Sequence, residues 1–421
     1  MSGYWPGPWP GEDGGPERGQ ALPPDSRFVI REGGDLDVVS RSAVAATMVV
    51  TRDPGELFLL RHTAGDDAIA FVERIDPLTL DPVIRSPDLT GGPAWPGSIA
   101  VHANGSLYVV FGNHAHRLDP DLVPVASSAL PRDLPYNGFV ILPDGHLATK
   151  DFAGSRPGHP VPADRRRRCE LVVLEPEGLQ IVDRCQLSEP SIARLSAHGD
   201  HVYVVGDTSL LRIGWDGSRL RPDEGFHTAY RTLEGQTYGW DCVIALGAAW
   251  FLDDGEGSDR YDGSLHGHGV SSTPLHLVRI DLDSGALSRT EVCGRPGGLV
   301  ANPPLIDPDR SIAVGYDSGN AVMTAFDIER DGSLSARWQR SQHHGGHLLL
   351  DPTAGRLVTG DFDAGRGMDQ LVVLDIEGGG EVARVDTGSP VQSVLFPAAG
   401  FDGELYLCTF TTVSRIAARA G

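Results

Sequence analysis

Nowhere in its 421 residues does the chain carry an apolar run of about eighteen residues, which excludes a membrane-spanning helix. Its five cysteines (Cys169, Cys185, Cys242, Cys293, Cys408) show no CxxC spacing and are odd in number. Neither a disulfide framework nor a zinc knuckle is therefore indicated. GxSxG, HExxH, GxGxxG and the P-loop are all missing, which removes the serine-elbow, zincin, dinucleotide and NTPase readings. Positive charge is short as well. A formal net charge of -22 would repel a phosphate backbone over most of the surface, so no nucleic-acid partner is expected. Residues 1–26 are dense in Gly and Pro and have neither a basic n-region nor an apolar h-region. They read as a disordered arm ahead of a domain spanning 27–421, and the expected compartment is the cytoplasm.

What the chain does have is a repeat. Alternating apolar residues, an acidic or Gly-containing turn and a second alternating run recur as "FVERIDPLTLDPVI", "AHRLDPDLVPVA", "LVVLEPEGLQIV", "LLRIGWDGSRLR", "LVRIDLDSGALS", "MTAFDIERDGSLSA" and "LVVLDIEGGGEVA". Each reads as a β-hairpin by its period of two and its turn chemistry. A more apolar hairpin precedes each, as in "SIAVHANGSLYVVF" and "HLLLDPTAGRLVTG". Two hairpins make a four-stranded unit with a buried inner strand, the blade of an all-β, single-domain β-propeller. Eight units of roughly 49 residues fit the usual repeat length better than seven of roughly 56. The last unit ends after its third strand, so residues 27–39 are expected to supply the fourth and close the ring.

In such a ring the segments entering each inner strand and those leaving the second strand share one face. Asn137, Asp241, Asn302 and His347 enter inner strands, whereas Asp151, Asp317 and Asp361 leave second strands. Carboxylates, amides and an imidazole gathered at a channel mouth suit a divalent cation, with Ca, Mg, Mn, Zn and Fe all open. Asn137, Asp241, Asn302, His347 and Asp361 are the candidate ligands. Lys150, Asp151 and Asp317 are the candidate base or electrostatic partners. The competing reading of these aspartates is plain turn capping. The histidines of "QHHGGH" (His343, His344, His347) and the carboxylates Asp361 and Asp363 belong to one unit and can converge on this face. His266 and His268 of "HGHG" lie in one long insertion, and "DRRRRC" (Arg165 to Arg168) lies in another, where it reads as a phosphate or partner contact or as a solvated tip.

"YNGFVILPDGHLATKDF" resembles the Asn-Gly blade entry of the gluconolactonase group of propellers, which implies Asn137 as a metal ligand; Asn302 of "LVANPPLIDP" matches less well. No counterpart of that group's first-blade glutamate stands near "GPAWPGS", and the group has six blades. The count of eight is similar to the quinoprotein dehydrogenases, whose Trp-docking repeats this chain lacks. The four-histidine iron centre of the carotenoid oxygenases is not expected, because only His347 opens an inner strand, unless His102 and His276 turn inward. The resulting expectation is a metal-dependent enzyme acting on a small molecule, with ester or lactone hydrolysis first. The alternatives are a non-catalytic scaffold that binds a peptide or protein, and a metal-dependent oxidoreductase or lyase.

Overall fold

The structure, a computed structural model, describes residues 3–28, 30, 34–154, 161–162, 165–258, 270–394 and 396–419. His266 and His268 fall outside the described residues. The described residues build successive antiparallel sheets: five of four strands, one of five, and one composite sheet of eight that joins strands from both ends of the chain. Among the described residues no helix is long and apolar enough to cross a membrane.

Burial sets the order of strands within a sheet. Ser98–Val101 and Leu107–Phe111 are buried along their whole length, as expected of strands covered on both faces. In contrast, the fourth strands Pro124–Ala129 and Ile181–Gln186 alternate between exposed and half-buried residues, as an outer edge should. One turn recurs between third and fourth strands. Leu80, Leu122 and Leu179 each take a left-handed conformation (φ 65°, 64° and 61°). That conformation costs about 1–2 kcal/mol, and burying the leucine returns a similar amount.

The composite sheet joins the two ends of the chain. The strand Leu36–Thr51 pairs through Leu36–Ser42 with the last strand, Phe410–Ala418, and through Ala46–Thr51 with Leu57–His62. A bulge between Ser42 and Ala46 divides the two halves. An N-terminal strand thus completes the last unit as expected, but with residues 36–42 in place of 27–39.

The arm departs from the disordered segment that its composition suggested. Tyr4, Trp9 and Leu22 are buried at 5% exposure or less. Its backbone visits one inner strand after another: Trp5 N–H donates to the Val101 carbonyl, Ala197 N–H to Pro16, Ile244 N–H to Glu17, Leu22 N–H to Leu350, and Leu350 N–H to Gln20. The physical reason is that Tyr4, Trp5 and Trp9 supply aromatic area worth about 1.5–3 kcal/mol per buried side chain, while Gly and Pro permit the irregular path.

Candidate functional site at the axis of the inner strands

Where the inner strands converge, the arm delivers three charged side chains. Arg18 Nη1 lies 2.5 Å from Glu12 Oε1, 2.6 Å from Asp13 Oδ2 and 3.7 Å from Asp241 Oδ2. Arg194 reaches Glu12 Oε2 at 2.7 Å and stacks over Phe396. His347 Nδ1 meets Asp13 Oδ1 at 2.8 Å, with its ring 4.0 Å from that of Phe396. All these charged side chains are at most 8% exposed. Three carboxylates face two guanidinium groups, and the His347 ring packs against one of them, Asp13. Burial is the largest influence on Asp13 and pushes its carboxyl up, but His347 and then Arg18 outweigh it together and hold it below the usual range.

This geometry revises the reading of the candidate ligands. A cation was expected among crowded carboxylates, and the cation there is Arg18, supplied by the chain itself. Of the five candidates, Asp241 and His347 join this cluster. Asn137 donates to the Ile192 carbonyl at 3.1 Å and Asn302 to the Gly345 carbonyl at 2.8 Å, so each ties one sheet to the next. Asp361 points elsewhere, accepting from His343 N–H at 2.9 Å and pairing with Arg384 at 2.7 Å. These donors do not fit a shared ion, because each is committed to a partner within the chain. Among the described residues no group of three or more His, Cys, Asp and Glu side chains is arranged to hold a metal.

The candidate base residues are also separate. Asp151 is fully buried, pairs with Arg132 at 2.8 Å and caps Glu170 N–H at 2.9 Å. Asp317 caps the Leu299 and Asn320 amides. Lys150, 1% exposed, donates to the Ser191 and Asp151 carbonyls at 3.2 and 3.3 Å. Asp317 thus caps its own turn at Asn320, three residues on, in the manner of the competing reading, whereas Asp151 and Asp361 brace segments distant in sequence. The histidines of "QHHGGH" split similarly. His344 accepts from Gly360 N–H, stands edge-on to Tyr316, and is pushed by burial down to about 3, while Asp363 caps Arg366 N–H. His102 bonds the Gly145 carbonyl and His276 pairs with Asp253, so neither adds to a histidine centre.

Sequence reasoning missed Glu12, Asp13, Arg18 and Arg194. The available signal was the arm's three aromatics within nine residues, which a disordered composition lacks. Beside the cluster, a cavity of about 510 Å³ opens between the arm and two inner strands, lined by Tyr4, Gly14, Gly19, Ile141, Ala197 and Gly199. A Cβ at Gly19 or Gly199 would meet nothing within 4 Å, so these glycines leave the space open.

No family model matches the chain, and no curated protein matches it. Solved structures do. The quinohemoprotein alcohol dehydrogenase ADHIIG from Pseudomonas putida HK5 superposes with a TM-score of 0.66 at 10% identity, over 99% of this chain and 81% of that one. The quinohemoprotein alcohol dehydrogenase from Comamonas testosteroni gives 0.62 at 12% identity, over 98% and 81%. BamB from Moraxella catarrhalis gives 0.58 at 10% identity, over 92% and 99%. The fold is a β-propeller. At these identities the likeness concerns the fold and leaves the chemistry to the site.

Proposed function

We propose that this propeller has eight blades, the composite sheet counting as two at the Ser42–Ala46 bulge, and that it is a non-catalytic scaffold which binds a peptide or protein. The observation that carries the reading is the occupied axis. Glu12, Asp13 and Arg18 of the arm engage Arg194, Asp241 and His347, so the polar groups gathered at the centre of the ring bind one another. Binding then falls to the faces and the rim. No observation supports ester or lactone hydrolysis, since Lys150, Asp151 and Asp317 sit apart in capping and bracing roles.

A metal-dependent oxidoreductase is the second reading, favoured by two quinohemoprotein alcohol dehydrogenases that match nearly all of this chain. The readings separate on the protein as purified. The scaffold reading expects no stoichiometric metal in elemental analysis, no cofactor absorbance, and an unchanged melting temperature after addition of Ca²⁺, Mg²⁺ or Zn²⁺. One tightly held ion per chain, with a melting shift abolished by His347→Ala or Asp241→Asn, would sink it, because a ligand confined to the folded state must raise stability.

A further inference from the structure

We infer that the rim beside the third sheet is a docking surface for an acidic segment of a partner protein, centred on Arg165, Arg167 and Arg168. This rests on the binding reading and gives its partner a chemistry. Arg167 and Arg168 line a cavity of about 410 Å³ together with Arg132, Asp133, Leu134 and Gln186. The run is anchored through its neighbours: Arg132 donates to the Arg168 carbonyl at 2.6 Å, and Arg166 Nε donates to the Val161 carbonyl at 3.0 Å while its guanidinium faces Asp207 at 3.7 Å. With the backbone held in this way, the side chains of Arg165, Arg167 and Arg168 are exposed and have no carboxylate partner among the described residues.

Single exposed arginines without an ion pair occur elsewhere, as at Arg219, Arg231, Arg295 and Arg330, but here three fall within four residues beside one cavity. The chain has 57 acidic and 35 basic residues, and other outer arginines find acids: Arg212 with Asp223, Arg221 with Asp216, Arg337 with Asp327, Arg366 with Asp386. Adjacent unpaired guanidinium groups repel each other, and carboxylates placed between them relieve that repulsion. Arginine's planar fork suits them in pairs. A long phosphate polymer would leave the patch and meet a surface of its own sign, whereas a short acidic segment fits the cavity.

The test uses the full-length protein and a fluorescein-labelled decapeptide of alternating Glu and Gly, with a Lys–Gly decapeptide as control, read by anisotropy at low ionic strength. The acidic peptide alone should bind, and Arg165→Ala, Arg167→Ala and Arg168→Ala combined should weaken it roughly tenfold, the sum of three exposed charge contacts. The melting temperature should not move, because these side chains brace nothing. Undiminished binding to the triple variant would overturn the surface and leave the scaffold reading standing. No binding to the wild type, or displacement of the peptide by inorganic phosphate well below the glutamate concentration needed, would overturn the acidic-segment assignment. A stoichiometric metal or cofactor in the purified protein counts against the scaffold reading itself, whatever the peptide does.

Discussion

Arg18→Met is expected to destabilise the protein by about 3 to 5 kcal/mol, the usual consequence of removing one partner from a buried ion cluster. Methionine keeps much of the side-chain length but leaves Glu12, Asp13 and Asp241 facing one another without the guanidinium that joins them, Arg194 still reaching Glu12 alone. The loss should be read by chemical denaturation at neutral pH, and neutralising Asp13 and Asp241 to Asn in the same chain should recover part of it, since the repulsion then disappears. An Arg18→Met variant as stable as the wild type would mean that the carboxylates are not clustered. The pH dependence has a definite sign. Asp13 is held below its unfolded value of 3.8, so its pairing contributes fully above that pH and is lost as the pH falls through the lower folded value. Wild type should therefore lose stability below about pH 4 more steeply than Asp13→Asn.

Deleting residues 1–26 should have a larger effect still. It strips Tyr4, Trp9 and Leu22 from the interior, each worth about 1.5–3 kcal/mol, and leaves Arg194, Asp241 and His347 without the arm's charges. The expected outcome is loss of soluble folded protein, or a melting temperature far below that of the full chain. A disordered arm predicts the opposite, a truncation indistinguishable from the full chain. Removing residues 1–42 adds a second defect by taking away the outer partner of Phe410–Ala418, which exposes a sheet edge and should favour aggregation.

Local rules made the blades legible. Period-two alternation and turns such as "DPDL" and "LPDGH" fix each hairpin within a dozen residues, and the structure pairs Ala68–Ile75 with Pro82–Arg85 and His114–Leu118 with Pro124–Ala129 accordingly. The cap of Asp317 on Asn320, three residues on, was open to the same local reasoning, whereas that of Asp151 on Glu170 spans 19 residues and was not. The axis was not. The Arg194–Glu12 contact spans 182 residues and the Gln20–Leu348 bond 328, and no spacing rule relates such partners. Composition misled at the arm, because Gly and Pro mark an irregular path as readily as a disordered one, and only burial distinguishes them. The slip from 27–39 to 36–42 in the closing strand has a similar origin: "RFVIREGGDLDVV" has apolar residues in both halves, and the pairing with Val413 and Ile416 chooses between them.

Backbone hydrogen exchange of the full-length protein, resolved to the first 28 residues, tests the central claim, that the arm is part of the core, most directly. The amides of Trp5, Gln20 and Leu22 donate to Val101, Asp13 and Leu350. They should exchange as slowly as those of the fully buried Val109 and Leu171, through opening of the whole ring. Arm amides that exchange at once, while the strands stay protected, would contradict the account and return the axis to solvent.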